Sequence, residues 1–598
     1  MMHDSMKPSL KAYLTGRHER SRNAPHETPV ALTTVSGVAT TQPGLIAWCD
    51  REIPDFAILT TKSFQVAPNP GNPEPVICET IPGNFGNSVG LRNPGMTVAL
   101  EQLRELRKRH SLRAYLLVSL SASNPDDFIT LVKAFDGVCD GIELNFSCPH
   151  ASSGYGSSIG CDPHIASSYV RAIRENTALI HPLFIKLTPN VEDIGIVARS
   201  VMEAGADGLT AINTVGPWMH TDPVSGTPIL QNALGGKGGA SGKWVRARAL
   251  ECVREIRQAV GQHVPLIGMG GATYGTDVAA FIEAGADAVG LGSVLGRVEQ
   301  AAWPMFVSSV RQTATTVLAG KQSAHQSTNQ STPPVQHMPE KDMVRQERGM
   351  AYVRHIVLSK VMYDEATAVI TLDGHLECQS GQFTFLWLPG IGEKPFSVAE
   401  SEPFTFIIKV RGKVSAALVA LESGDSVYVR GVYGASLTIP RTDDALLIAG
   451  GTGVAVLPDM TRRLAQQGTR IRILTGTTST VSKGTPALLE AELSQYGEFT
   501  CVPDDGVPAR VLDYVEKHVE TSVPTEVFII GPEKFMARAA RLMLSRGIGA
   551  EHIHLSMEKL TLCGIGMCGA CVCGERLTCQ YGTFMTYDYL LKEMPEFL

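Results

Sequence analysis

The chain has 598 residues, 44% of them hydrophobic, and a formal net charge of −7, ordinary values for a globular protein of several domains. No basic block gives nucleic acid an electrostatic footprint, and no uninterrupted apolar run of about 18 residues offers a membrane span. Thirteen cysteines, five of them between Cys563 and Cys579, read as metal binding rather than a disulfide framework, which sets the expectation of a reducing, cytoplasmic location.

Residues 1–28 are polar and read as a disordered tail without the apolar core of a signal peptide. From 29 to 312, strand and helix patterns alternate. Strands are expected at 30–37, 56–60, 116–120, 142–145, 183–187, 208–214, 265–268 and 288–291, with helices at 97–110, 125–135, 162–176, 191–204, 243–260 and 277–284. That rhythm predicts a TIM barrel, which presents its chemistry at the C-terminal strand ends. The strand ends carry polar residues: Ser36-Gly37, Thr61-Lys62-Ser63, Asn145 with Ser147 and Cys148, Lys186, and Asn213-Thr214. Residues 83–91 are rich in Gly and Asn and read as a loop whose backbone N–H groups can wrap an anion. The last two strands run into Gly270-Gly271 and Gly292-Ser293, where barrels of this kind bind phosphate because glycine lets the backbone approach the oxygens. With Lys186 closing an apolar strand, these turns point to a flavin mononucleotide.

The run Gly141-Ile142-Glu143-Leu144-Asn145-Phe146-Ser147-Cys148-Pro149-His150 resembles the active-site segment of the dihydroorotate and dihydropyrimidine dehydrogenases. Further segments fall in the order of that superfamily: Thr61-Lys62-Ser63, Asn87 to Leu91, Lys186 to Val191, Ile212-Asn213-Thr214, Gly238 to Gly242 and Gly268 to Gly271. The resemblance is to the dihydroorotate dehydrogenases that pass electrons to NAD. It implies that Cys148 is the catalytic base and that Lys62, Asn87, Asn145, Asn213 and Thr214 contact the substrate; His150, which the resemblance does not supply, is a further candidate to face the substrate carboxylate. It also implies that Ser36, Gly37, Thr61, Lys62, Lys186, Gly242, Gly270, Gly271, Gly292 and Ser293 hold FMN, and it carries the expectation of a homodimer through the barrel. Two positions depart from the pattern. His150 stands where the family has Asn, as in dihydropyrimidine dehydrogenases, and Lys243-Trp244 stands where it has Pro-Ala. The Asn87 to Leu91 stretch, which in dihydroorotate enzymes receives the substrate carboxylate, favours dihydroorotate over uracil or thymine derivatives.

Residues 313–343 are rich in Ser, Thr, Gln and Pro and read as a flexible linker. Short alternating strands between 344 and 440 predict a small antiparallel β-barrel. Within it Lys394-Pro395-Phe396-Ser397 resembles the flavin motif of ferredoxin-reductase-like barrels, which implies FAD held by Lys394, Pro395 and Ser397, and at a second contact by Lys409 and Ser415. From 441 to 550 the pattern turns to βαβ. The strand 445–449 runs into Gly450-Gly451-Thr452-Gly453, and another at 526–530 ends in Gly531-Pro532, the arrangement of a nucleotide-binding α/β domain for NAD, with Gly450, Gly451 and Gly453 at the cofactor.

The last segment, 551–598, carries Cys563-x4-Cys568-x2-Cys571-x7-Cys579. Four thiolates at such spacing suit a [2Fe–2S] cluster, with structural zinc as the alternative. Cys573 is a fifth thiol outside the ligand set. The segment resembles the C-terminus of the electron-transfer subunit of NAD-linked dihydroorotate dehydrogenases, so the chain reads as both subunits fused. The resemblance implies that Cys148 takes the C5 proton of dihydroorotate, the C6 hydride goes to FMN, and electrons pass through the cluster and FAD to NAD. Two other readings stand beside it: the same machine working on uracil or thymine, and a non-catalytic flavin carrier.

Overall fold

The computed structural model describes residues 30–147, 157–326, 340–347, 349–477, 486–503, 510–520 and 525–597. The chain divides into two units, residues 1–350 with 565–570, and residues 351–564 with 571–598.

In the first unit eight strands close into a barrel: β1 (Leu32–Thr34), β2 (Phe56–Thr60), β3 (Tyr115–Leu120), β4 (Gly141–Asn145), β5 (Leu183–Lys186), β6 (Gly208–Ala211), β7 (Leu266–Met269) and β8 (Ala288–Leu291). Each pairs in parallel with the next, and β8 pairs back to β1. Their near-continuous apolar sequences are those of strands covered on both faces. Ile58, Tyr115, Leu117, Phe184, Ile267 and Met269 fill a buried cluster. Side-chain caps set helix starts. Asn124 accepts from the Asp127 N–H at 2.8 Å and Asp162 from the His164 N–H at 2.8 Å, each followed by Pro at the first helical position.

Two expectations change here. The Gly/Asn-rich stretch is not a loop throughout: Asn84–Asn87 is the second strand of an antiparallel sheet ordered Ile77–Ile81, Asn84–Asn87, Lys237–Gly242, Val215–Met219. It is paired on both sides, so its backbone groups serve the ladder rather than an anion. The stretch expected as a flexible linker is also partly ordered. Thr313 to Gln326 continue the helix Trp303–Gln326, whose Phe306, Val307, Val310, Ala314 and Leu318 are buried at helical spacing. Glu340, fully buried at the start of a short helix, accepts from Ser309 Oγ at 3.0 Å, Thr313 Oγ1 at 3.3 Å and the Gly275 N–H at 3.3 Å.

The second unit opens with β9 (Val353–Met362), β10 (Thr367–Leu372), β11 (Phe383–Leu388), β12 (Gly392–Phe396), β13 (Thr405–Lys409) and β14 (Ser426–Tyr433), in the order β12-β11-β14-β9-β10-β13. All pairings are antiparallel. Long β9 pairs with β14 through its first half and with β10 through its second, folding the sheet around a core of Val357, Ile370, Leu386, Phe404, Phe406 and Val427. Pro395 lies in β12 at one edge of this sheet, where a missing N–H costs no ladder bond.

A second sheet follows: β15 (Asp444–Gly450), β16 (Arg470–Thr477), β17 (Glu498–Pro503), β18 (Glu526–Ile530), β19 (Ile553–Ser556) and β20 (Phe584–Thr586), in the order β17-β16-β15-β18-β19-β20. The first five are parallel and β20 is an antiparallel edge. The order reverses between β15 and β18, and a doubly wound sheet binds its ligand at that crevice. The fold is thus a TIM barrel joined to a ferredoxin-reductase-like module. Among the described residues no helix is long and apolar enough to cross a membrane.

Candidate functional site

The register brings the polar strand ends of the barrel level. Asn145 on β4 pairs with Lys186 on β5, and Lys186 with Thr210 on β6. A chain of hydrogen bonds runs across these ends. Ser63 Oγ lies 3.3 Å from Ser36 Oγ and 2.9 Å from Ser119 Oγ, and Ser119 donates to Glu143 Oε1 at 3.0 Å. Lys186 Nζ stands 3.9 Å from the same carboxylate oxygen, both side chains almost fully buried. Asn145 Nδ2 donates to Ser63 Oγ at 3.0 Å, while its Oδ1 accepts from Ser147 Oγ at 2.8 Å. Asn213 Nδ2 closes the chain onto Ser147 Oγ at 2.9 Å. Thr61 Oγ1 accepts from the Ser119 N–H at 3.1 Å and donates to the Lys62 carbonyl at 3.0 Å. Burial pulls the Lys62 ammonium down to about 8, the Cys568 thiol opposing that pull and Arg92 adding to it.

This network joins Ser36, Asn145, Lys186 and Asn213, with Thr61 hydrogen-bonded to Ser119 at one of its links. Thr214 follows, its backbone N–H bonded to Asn213 Oδ1 at 2.9 Å. Asn87 sits apart on the antiparallel sheet and donates to the Gly239 carbonyl at 3.2 Å. Cys148 and His150 lie outside the described residues. Sequence reasoning passed over Glu143 and Ser119, which link Lys186 to the serines. The available signal was a carboxylate inside an otherwise apolar strand.

Several atoms fit a bound polar ring system. Buried Glu143 Oε2, Thr210 Oγ1 and Thr214 Oγ1 have no hydrogen-bond partner among the described residues, a cost that a ligand group can offset. The glycines form a bare cradle. Gly271, at φ +82°, would place a side chain 2.6 Å from the Gly242 carbonyl, and Gly242 would place one 2.0 Å from the Gly83 carbonyl. Gly37, Gly270 and Gly292 continue this surface after β1, β7 and β8, with Ser293 beginning the short helix after Gly292. Glycine turns that bring backbone close together and a buried cation, Lys186, make the residues present fit FMN.

In the second unit a cavity of about 960 Å³ is lined by Pro395, Ser397, Lys409, Gly450, Gly451 and Gly453, among others. It opens at the β15–β18 crevice, with Gly531 also on its wall. Arg411, Arg510, Lys534 and Lys559 add positive charge to that wall, which suits the pyrophosphates of FAD and NAD. Two expected contacts are not among the lining residues. Ser415 Oγ is occupied by the Arg411 and Gly412 N–H groups at 2.8 and 3.1 Å as the cap of its own helix, and Lys394 lies one residue before the lining part of β12.

Cys563, Cys568, Cys571 and Cys579 are all buried. The Cys579 thiol hydrogen-bonds those of Cys563 and Cys571, and these contacts together with burial push it well above the usual thiol range. Gly564 takes φ +81° and Gly566 φ +79° around them. Cys568 belongs to the 565–570 stretch grouped with the first unit, where its carbonyl accepts from Thr41 Oγ1 at 3.2 Å. Within the second unit Cys563, Cys571 and Cys579 form a buried set of soft thiol donors, the kind that fits an iron–sulfur centre. Cys573 turns away from it, its Sγ 3.4 Å from Met594 Sδ.

A closed parallel barrel with titratable and amide groups collected at its C-terminal mouth defines an enzyme barrel, and its relatives say which. The dihydroorotate dehydrogenase family model matches residues 26–310. The chain is 40% identical over 237 residues to the dihydroorotate dehydrogenase B (NAD(+)) catalytic subunit of Methanothermobacter thermautotrophicus, covering 40% of this chain and 74% of that protein. It is 38% identical to the subunit of the same name from Methanopyrus kandleri (39% and 72% covered) and 38% identical to that from Geobacillus kaustophilus (39% and 71% covered). A solved NADH-dependent reduced ferredoxin-NADP oxidoreductase aligns with 40% of this chain and 93% of its own at 22% identity, with a TM-score of 0.35, too low to bear on the fold. The chain belongs to the dihydroorotate dehydrogenase family and is an oxidoreductase.

Proposed function

We propose that this chain oxidises dihydroorotate to orotate at the mouth of the barrel and delivers the electrons to NAD⁺ through its own second half. The observation that carries the reading is the hydrogen-bonded set Asn145–Ser147–Asn213 beside the buried Lys186–Glu143 pair, in a barrel whose relatives are named catalytic subunits of that enzyme. Amide side chains both donate and accept, so Asn145 and Asn213 match the alternating N–H and C=O edge of a dihydropyrimidine. Lys62, Asn87, Thr214 and His150 complete the substrate contacts, and a cationic Lys62 attracts the substrate carboxylate. Cys148, as thiolate, takes the proton from C5. Ser36, Gly37, Thr61, Lys62, Lys186, Gly242, Gly270, Gly271, Gly292 and Ser293 hold FMN. Pro395, Ser397 and Lys409 would hold FAD and Gly450, Gly451 and Gly453 would hold NAD on the wall of the second unit's cavity, and Cys563, Cys568, Cys571 and Cys579 would bind [2Fe–2S]. Bound FMN supplies a hydride acceptor at the barrel mouth, and the cluster and FAD supply the one-electron relay to the nicotinamide. The proposed domains are the barrel at 29–312, the FAD sheet at 344–440, the NAD domain at 441–550 and the cluster segment at 551–598.

The test is anaerobic addition of dihydroorotate to the fully loaded chain, with dihydrouracil and dihydrothymine in parallel. Flavin bleaching is expected from dihydroorotate alone. Cys148→Ala is expected to slow that bleaching by about 10²-fold or more while the NADH–dye reaction persists. Bleaching by dihydrouracil in place of dihydroorotate would move the assignment to the dihydropyrimidine dehydrogenases.

A further inference from the structure

Arg430 is the largest fully buried charged side chain among the described residues, and the reaction as proposed gives it no part. It lies on β14 and makes a bidentate pair with Glu393 on β12, Nε to Oε2 at 2.9 Å and Nη2 to Oε1 at 2.7 Å. Glu393 is buried as well and accepts from Tyr352 Oη at 2.6 Å. The remaining guanidinium N–H groups point the other way. Nη1 donates to Tyr433 Oη at 2.9 Å and to the Cys563 carbonyl at 2.8 Å, and Nη2 donates to the Leu562 carbonyl at 3.2 Å. With these, all five N–H donors of the side chain have acceptors. The guanidinium carbon stands 3.7 Å from the centre of the Phe385 ring, and the Tyr433 ring packs where a side chain on Gly564 would be.

The two ends of this bridge are the two redox parts of the unit. Glu393 precedes Lys394-Pro395-Phe396-Ser397, whose Pro395 and Ser397 line the flavin cavity, and Cys563 is the first of the four thiols. A buried ion pair is a poor source of stability, because desolvation cancels most of the attraction and apolar residues of the same size serve as well. Its planar fork does something apolar residues cannot: it fixes two backbone carbonyls and a carboxylate at set distances. The pair is neutral overall, but it is oriented, with the cationic end toward Cys563 and the anionic end toward the flavin strand.

On the iron–sulfur reading of the thiols, we propose that Arg430 is a positioning residue for the cluster. It ties the Leu562–Cys563 backbone to the flavin-bearing strand and turns the positive end of the Arg430–Glu393 pair to the sulfurs, which favours the reduced, more negative cluster and raises its reduction potential. A cluster held there would take one electron from the reduced flavin of the proposed reaction, and the guanidinium would keep its proton in both states.

The experiment uses the full chain loaded with iron and both flavins. Wild type, Arg430→Lys, Arg430→Gln and Tyr433→Phe are compared by iron content, by the electron paramagnetic resonance spectrum after dithionite reduction, and by spectroelectrochemical titration. A shift of the potential to more negative values is expected in Arg430→Gln, with a smaller one in Arg430→Lys, which keeps the charge but loses the fork. Altered g values are expected in all three variants, least in Tyr433→Phe. Unchanged g values and potential, with only a lower unfolding temperature, would make Arg430 a structural residue and overturn the proposal. If the Arg430 variants load no iron, Tyr433→Phe decides by the same readouts, a wild-type spectrum and potential counting against the proposal. Wild-type protein without iron would instead remove the iron–sulfur reading beneath it.

Discussion

Lys186 and Glu143 meet at 3.9 Å with side chains 4% and 0% exposed, so each depends on the other for compensation of its charge. Removing one partner of such a pair costs more than the pair itself contributes, because the survivor is left charged and dry. Lys186→Met is therefore expected to destabilise the barrel by roughly 3 kcal/mol or more. Lys186→Met combined with Glu143→Gln is expected to recover most of that loss, since the amide needs no counter-charge. Denaturant unfolding of the four proteins of the cycle measures the coupling, and additive losses would show that the two side chains do not compensate each other. Neither the single nor the double variant is expected to oxidise dihydroorotate. At this scale much of the site was legible, because Asn145, Ser147, Lys186 and Asn213 are polar residues closing apolar strands. Glu143 was not, because it lies two residues before Asn145 and reads as one more position in a strand. Its burial and its link to Lys186 exist only once β4 and β5 are in register.

The elements were legible where periodicity was strong and misread where composition stood in for it. Pro125–Phe135 starts and ends where its pattern does. Asn84–Asn87 looks like a turn because Gly and Asn favour turns. It is a strand because two neighbouring strands pair with it, and Gly86 leaves room for the His220 ring. Residues 313–326 look like linker because polar residues outnumber apolar ones, yet the buried apolar residues of this helix fall at helical spacing. Packing between elements also sets titration. Arg462 on the helix Leu457–Gln466 reaches Glu400 at 2.8 Å and Glu492 on the short helix Glu490–Leu493 at 3.3 Å. Burial, then the neighbouring Glu400 carboxylate, pushes Glu492 up to about 8, against the pull of Arg462. Between the ordinary value of 4.5 and about 8 the folded protein holds a proton that the unfolded chain has lost, so this site makes stability fall as pH rises through that window. Thermal unfolding of Glu492→Gln from pH 5 to 8.5 should show a flatter profile than wild type and a higher midpoint at pH 8. Parallel profiles would mean that Glu492 ionises normally.

At the scale of the whole molecule, the proposed function gives one chain two sets of redox residues, whose chemistries differ in what can pass between them. A hydride moves only between groups in contact, whereas single electrons tolerate a gap, so on the proposed reading the four thiols are what makes the chain one enzyme rather than two. Cys579 is the sharpest point at which to cut this connection, since its thiol meets both Cys563 and Cys571 and it lies on a short helix after the glycine loop. Cys579→Ser is expected to lose iron while retaining both flavins. Dihydroorotate should still reduce an artificial dye through the barrel, and NADH should still reduce one through the second unit, each at close to the wild-type rate. Dihydroorotate-driven reduction of NAD⁺ should fall to background. The two half-reactions serve as the folding controls for each other, so a misfolded variant shows itself by losing one of them. If all three activities survive with the iron gone, electrons reach NAD⁺ without the thiols, and the second half of the chain has some other task.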